Sequence, residues 1–327
     1  MKFEGETAVV TGAGGFIGGH LVKGLIANGV KVVRAVDIKP LNEWYQVTEG
    51  VESLSLDLKD KNNCVTAVKD VSLVYQLAAD MGGAGYIFAG DHDADVMHDS
   101  ALINLNVIDV CRRLGARKLF YSSSACIYPA YNQADAQNPK CSEDSAYPAA
   151  PDSEYGWEKL FSERIYLAFR RNYGLQTHIA RYHNVFGPEG IWDGGKEKAP
   201  AAICRKVAQA KSGDAIDIWG DGDQTRSFMF IDDCLEGTLR LMRSDFAGPV
   251  NIGSEEMVTI NQLVDMVADI AGKRIEKNHI PGPLGVRGRN SDNRLIREKL
   301  GWEPRARLRD GLEVTYRWIE RQVAKSP

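Results

Sequence analysis

In the stretch SEYGWEKLFSERIY, Tyr155 and Lys159 stand four residues apart, which on a helix brings both side chains to one face. A lysine ammonium beside a phenol favours the phenolate and lowers a reference pKa of about 10 toward the physiological range. A tyrosine so tuned can take the proton of an alcohol while hydride leaves the same carbon. Roughly thirty residues upstream, the apolar run RKLFYSSS ends in SSSACIYP, so Ser124 arrives at the end of a buried strand, where its hydroxyl can hold that alcohol in place. Cys126 follows two residues later. A thiol, with a reference pKa near 8.5, works as a base only where something nearby stabilises the thiolate. Otherwise it is a small residue filling a strand end.

A second chemical motif opens the chain. TGAGGFIG, residues 11–18, follows an apolar strand pattern and leads into the helical FIGGHLVKGLIANG, with Phe16 and Ile17 in its first turn. Gly12 permits a tight turn, Gly15 lets a pyrophosphate approach the backbone at the helix N-terminus, and Gly18 lets helix and strand pack closely. Asp37 closes the next strand pattern about twenty residues on, where a carboxylate accepts hydrogen bonds from an adenosine ribose and repels a 2′-phosphate. The pattern therefore favours NAD over NADP, with Lys39 taken as a solvated loop lysine. Asp57, in LSLDL, suits either the adenine edge or a helix N-cap.

The elements needed to position these groups alternate in period. Strand patterns at 7–11, 30–37, 51–56, 72–78, 119–123 and 176–181 are separated by helical ones, notably 96–114 and 153–172. Short Val/Ile/Leu-rich strands between helices predict a parallel sheet covered on both faces, an α/β doubly wound fold of the Rossmann type. After residue 182 the texture changes to Gly- and Pro-rich turns, helical stretches at 199–210 and 262–270, and short strands such as IDIWG. The chain is thus expected to divide into a dinucleotide-binding domain, 1–182, and a smaller C-terminal α/β region, 183–327, that binds substrate. Short returns to the first sheet are expected near 228–231 and 250–253.

Bulk properties narrow the function class. The 327 residues are 44% hydrophobic and 26% charged, with a net charge of −4, which gives no electrostatic reason to expect nucleic acid or an anionic membrane as partner. The opening MKFEGETAVVTGAGG lacks the apolar core of a secretory signal, and a cytoplasmic location is expected. The six cysteines have no Cys-x-x-Cys and no histidine-rich spacing, so neither zinc nor a disulfide framework is expected.

TGAGGFIG, LAAD (77–80), SSSACIY, YGWEK, RYHNVFGP, WGDGDQTRSF and VNIGS occur in the order found in the extended short-chain dehydrogenase/reductases that act on nucleotide sugars, which the chain resembles over its whole length. Ser100 departs from that pattern, standing where an Asn commonly opens the central helix. Within that group, ADMGGAG, SSACIYP, GGKEKAPAAICRK and GPLGVRGRNSDN closely resemble the GDP-mannose 3,5-epimerase family. The resemblance implies NAD as cofactor, with Leu77 and Ala79 added to its binding set, and GDP-mannose and its epimers as ligands. It makes Cys126 and Lys198 the acid/base pair beside Ser124, Tyr155 and Lys159. It implies substrate contacts from Gly82, Ala125, Asn184, Glu197, Ala199, Lys206, Gln224, Arg226 and Arg287, with Arg289 the alternative to Arg287, since sequence alone does not decide the register between the two. A homodimer is implied as well. The rival activities are another nucleotide-sugar 4-epimerase or 4,6-dehydratase, and a non-catalytic dinucleotide sensor.

Overall fold

The computed structural model of the chain describes residues 3–325. Its centre is a seven-stranded sheet built from β1 (Thr7–Thr11), β2 (Val32–Asp37), β3 (Glu52–Ser55), β4 (Leu73–Gln76), β5 (Lys118–Ser124), β6 (Gln176–Tyr182) and the short strand Val250–Ile252. Every pairing is parallel, and the order runs Val250–Ile252, β6, β5, β4, β1, β2, β3. Helices α1 (Phe16–Ala27), α2 (Lys61–Val68), α3 (Ala84–Ile87), α4 (Asp93–Leu114) and α5 (Glu154–Tyr173) lie in the connections of this first half.

The strands are apolar because both faces are covered. On one face Ala8, Val10, Tyr75, Phe120 and Ala180 pack with Leu21 and Leu25 of α1 and Leu239 and Met242 of a later helix, α7 (Ile231–Arg243). Their neighbours in each strand, Val9, Val74, Leu119, Tyr121 and Ile179, point the other way onto Cys64, Val107, Cys111 and Tyr166 of α2, α4 and α5. Successive side chains of a strand face opposite ways, so strands rich in Val, Ile and Leu are covered on both sides, as expected. The observed strands begin and end within about two residues of the expected ranges.

The remaining chain forms a third core from α6 (Ala199–Gln209), α8 (Ile260–Ala271) and α10 (Leu308–Lys325) packed on the parallel pair Ala215–Trp219 and Glu276–Ile280. A separate small sheet places Thr225–Ser227 between Met257–Thr259 and Gly288–Arg289. Of the two expected returns to the large sheet, 250–252 makes one. Residues 229–230 do not: they pair with Val185–Phe186 in a two-stranded sheet of their own, beyond the point where Asn184, at φ 42°, turns the chain out of β6. α9 (Arg294–Leu300) packs near Val250–Ile252.

Buried polar networks tie the sheet to α4 and α5. Arg181 of β6 grips Glu163 of α5 through two bonds of 2.9 and 2.8 Å, and both side chains are nearly inaccessible, at 3% and 2% exposure. Ser123 of β5 donates to the same carboxylate. Removing one partner of such a pair strands a buried charge, so Glu163→Ala is expected to cost about 3–5 kcal/mol. Urea unfolding of the two chains measures this, and a cost below about 1 kcal/mol would contradict a fully desolvated pair.

Candidate active site

The functional side chains gather where the carboxyl ends of β1, β2, β4 and β5 meet the N-termini of α1 and α5. Gly12 turns at φ 70°, the Gly15 N–H bonds back to its carbonyl at 3.1 Å, and a Cβ on Gly18 would lie 2.1 Å from the Gly12 oxygen. Only glycine at 18 lets α1 start so close to β1. The N-terminus of α1 has no side-chain cap and no acidic residue in its first turn, so its N–H groups and helix dipole fit an anion supplied from outside the chain. Phe16 and Ile17 occupy that turn, and both are partly accessible. Asp37, largely buried, accepts the Gly14 N–H and the Lys39 N–H at 3.0 Å each, which aims its carboxylate across the glycine turn. Thr11 pulls the chain out of β4: its hydroxyl accepts from the N–H groups of Leu77 and Ala78 at 3.2 and 3.3 Å, leaving the backbone of Leu77 and Ala78 beside Gly12 at the strand ends, with Ala79 next along the chain. This capture ends β4 earlier than its apolar pattern does. Asp57 is not a helix cap; Asp60 fills that role by accepting the Asn62 N–H at 2.8 Å, while Asp57 accepts the Lys59 N–H in the loop after β3.

Tyr155 and Lys159 emerge from the first turns of α5, and Ser124 from the last residue of β5. The Lys159 Nζ donates to the Ser122 carbonyl at 3.0 Å and lies 5.6 Å from the centre of the Tyr155 ring. The expected lowering of the tyrosine is not what the chain alone produces. Burial pushes the phenol up, the nearby Cys126 sulfur adds to this, and a hydrogen bond with Ser124 draws it back. The reason is geometric: the ammonium sits over the ring and spends a donor on the Ser122 carbonyl, and burial lowers its own pKa.

After β5 the chain makes a single 3₁₀ turn, Ala125–Ile127, whose N-cap is Ser124; its Oγ accepts the Cys126 N–H at 3.2 Å. Gly156 of α5 packs onto this turn so tightly that a Cβ there would sit 2.1 Å from the Cys126 carbonyl oxygen. Cys126 is the one cysteine of six that is not buried. Its sulfur accepts a hydrogen bond from Arg289 Nη1 at 3.1 Å. Lys198 stands at the N-cap of α6, and among the described residues its ammonium has no hydrogen-bond or ion-pair partner; burial lowers its pKa, while the sulfur of Cys126 pulls the other way. The amine thus lies within electrostatic reach of the sulfur.

The other expected substrate residues divide into those turned toward this cluster and those turned away. Arg226 feels Cys126 and Arg289, and burial lowers its pKa to about 10. Its guanidinium is held by the carbonyls of Thr225, Leu284 and Val286. Gly82 is buried beside the Tyr86 ring, and Ala125 is buried under the thiol turn. Asn184 donates to the Ser227 carbonyl at 2.9 Å. Gln224 donates to the Trp219 carbonyl at 3.1 Å, while its buried Oε1 has no partner among the described residues. Ala199 opens α6 directly after Lys198. The Glu197 carboxylate is spent on Arg205 and the Gly195 N–H, leaving its backbone against Gly83. Lys206 donates to the Asp217 carbonyl at 2.7 Å, further down α6 from Lys198.

Arg287 is the expected residue that stands apart. It pairs with Asp221 at 2.8 Å on the surface, with 39% of its side chain exposed. Arg289 is the arginine brought to the thiol, and its side chain is 7% exposed. The difference is one of partners: Asp152 and Gln133 offer Arg289 a buried carboxylate and amide oxygen, whereas Arg287 finds only a surface loop. Sequence reasoning missed Asp152 and Gln133 altogether. It also missed the buried relay in which Asn104 links Gln76, Glu158, Ser162 and Tyr166. An acidic residue just before the tyrosine helix was the only signal for Asp152. Ser100, where an Asn was expected, accepts the Asp80 N–H at 3.1 Å and so does the work of anchoring that loop.

Comparison with known proteins agrees with this geometry. Residues 8–253 match the model of the NAD dependent epimerase/dehydratase family. The GDP-mannose 3,5-epimerase of Arabidopsis thaliana is 48% identical over 316 residues, which cover 97% of this chain and 82% of that protein. Among solved structures, the UDP-glucose 4-epimerase of Thermotoga maritima with UDP-glucose superposes with a TM-score of 0.85 at 26% identity, over 97% of this chain and 99% of that one. The UDP-glucose 4-epimerase of Thermus thermophilus in complex with NAD gives 0.82 at 25% identity, over 96% and 98%. A glycine cradle, a Ser-Tyr-Lys cluster and a sheet of this order, together with these matches, place the chain in the NAD dependent epimerase/dehydratase family.

Proposed function

We propose that the chain is an NAD-dependent isomerase that inverts GDP-mannose at C5 and C3 through a transient ketone at C4, giving GDP-L-galactose and GDP-L-gulose. The observation that carries this reading is a thiol and an unpaired ammonium beside one Ser-Tyr-Lys cluster, in a chain 48% identical to a GDP-mannose 3,5-epimerase. A plain 4-epimerase needs the cluster but has no use for the pair.

Gly12, Gly15, Phe16, Ile17 and Gly18 would hold the cofactor's pyrophosphate and Asp37 its ribose, with Asp57, Leu77 and Ala79 beside its adenine and nicotinamide halves. When bound, NAD accepts hydride from C4, returns it at the end, and carries a positive ring charge in its oxidised form. Tyr155 takes the proton of the C4 hydroxyl, Ser124 holds that hydroxyl, and Lys159 supplies positive charge beneath the phenol ring. The ketone lets charge left at C5 or C3 spread onto oxygen, so the adjoining C–H protons become removable. Cys126 withdraws one from one face of the ring, and Lys198 delivers one from the other. Each such group typically contributes ~10²–10⁴-fold in rate. Burial suits Lys198 to its task, because an ammonium with a lowered pKa gives up its proton more readily. Arg226 and Arg289 supply positive charge at the sugar's end of the diphosphate, with Lys206 and Gln224 further along the nucleotide.

The chain is further proposed to act as a homodimer in the cytoplasm. An outer face of α5 exposes Trp157 and Phe161, at 40% and 46%, next to Tyr147 and Leu160, which suits a second copy of the helix. A working thiol at Cys126 suits a reducing compartment.

In D₂O, GDP-mannose incubated with the NAD-loaded chain should acquire deuterium at C5 and C3 with no net NADH, read by NMR and by the near-ultraviolet absorbance of the reduced nicotinamide; label at neither carbon sinks the reading. UDP-glucose turning into UDP-galactose would favour the 4-epimerase instead. Cys126→Ala should still bind cofactor and nucleotide sugar while its C5 exchange falls by about 10²-fold or more, and exchange at the parental rate would mean another base. Competitive acetylation across pH, resolved by peptide, should give Lys198 a midpoint below that of the free Nα-acetyl-lysine amide included as reference; equal midpoints would remove the basis for its role as acid.

A further inference from the structure

Arg289 is shared between three partners from distant parts of the chain. Nη1 donates to the Cys126 sulfur at 3.1 Å, Nε to Gln133 Oε1, and Nη2 forms an ion pair with Asp152, whose side chain is 6% exposed. The second Asp152 oxygen accepts from the Ser153 hydroxyl at 3.2 Å, so the carboxylate is fixed just ahead of the helix that carries Tyr155. Around the sulfur stand Arg289, Arg226, Lys198 and Lys159 as cations and Tyr155 as a neutral phenol. Among the described residues, Asp152 is the carboxylate that pairs with Arg289, and it also acts on Arg226. The other buried carboxylates near the cluster, Glu158 and Glu163, act on Lys159, and Glu163 is paired with Arg181, so Asp152 is the one that offsets the two arginines at the sulfur.

We propose that Asp152 is a positioning residue that sets, through Arg289, the charge at the Cys126 sulfur. The ion pair keeps a guanidinium donor aimed at sulfur while cancelling much of the net charge that the sulfur meets. The inference rests on the reading of Cys126 as the group that takes a ring proton.

Asp152→Asn separates charge from contact, because the amide oxygen can still accept from Nη2 while the negative charge is gone. The pH midpoint for alkylation of Cys126 by iodoacetamide, followed by peptide mass spectrometry on the NAD-loaded chain, should fall by roughly one unit, giving about tenfold faster labelling below it. Asp152→Glu, which restores the carboxylate, should return the midpoint to that of the parent chain. Arg289→Gln, which removes the donor and its charge, should move it upward. An unchanged or raised midpoint in Asp152→Asn overturns the proposal, and so does a shared midpoint in Asp152→Asn and Arg289→Gln. The labelling midpoint reports on the sulfur alone, so it is decided whether or not deuterium enters a sugar ring.

Discussion

The close approach of α5 to the turn after β5 is the constraint on which the site depends. With Gly156 lying against the Cys126 carbonyl, no side chain separates the helix that bears Tyr155 and Lys159 from the turn that bears Ser124 and Cys126. Proton transfer at one ring carbon and at its neighbour requires groups held within a few tenths of an ångström of a shared geometry. In the proposed reaction the backbone contact at Gly156 serves that end. It is braced from below by the buried Arg181–Glu163 pair and by the relay through Asn104, both of which fix α5 to the sheet rather than to a loop. The stability stored in the interior thus serves to keep two reactive turns in register.

Burial then sets the resting electrostatics. It raises Tyr155 and lowers Lys159 and Lys198, so in the chain alone each of these groups is driven toward its neutral form. Such a site avoids stranding uncompensated charge, at the cost of needing something else to draw the proton from the phenol. An oxidised nicotinamide supplies positive charge only while oxidation of the substrate is wanted. The permanently charged groups, by contrast, are partnered: Arg289 with Asp152, and Arg226 with three backbone carbonyls.

Much of this was legible in the sequence because it rests on local rules. The unbroken apolar run Ala8, Val9 and Val10 marks a strand covered on both sides, and the glycine turn followed by an acidic strand end marks a dinucleotide cradle. Tyr155 and Lys159 are four apart on a helix, as their spacing required. What escaped was decided by long-range partners. Arg287 and Arg289 are two apart, and only the buried Asp152 and Gln133, more than a hundred residues away, pull the second inward while Asp221 keeps the first outside. Asp57 and Asp60 are both plausible caps by composition, and the loop geometry after β3 selects the latter. The end of β4 depends on the Thr11 hydroxyl of a neighbouring strand, which no local pattern in 72–78 encodes.

The same contrast explains why the two halves of the chain carry different parts of the chemistry. The large sheet delivers cofactor and tyrosine chemistry from adjacent strand ends, where parallel strands and helix N-termini converge by construction. In the proposed reaction the acid/base pair needs groups on opposite sides of a sugar ring, and one sheet edge cannot supply both. Lys198 therefore comes from the start of α6, and the guanidinium at the thiol comes from the small sheet, where Arg289 is paired in register with Arg226. That register places two arginines side by side without a carboxylate in their own sheet. A neutralising group from the first half is then a physical requirement of burying them, and Asp152, anchored at the head of α5, meets it while locking the small sheet onto the catalytic turn.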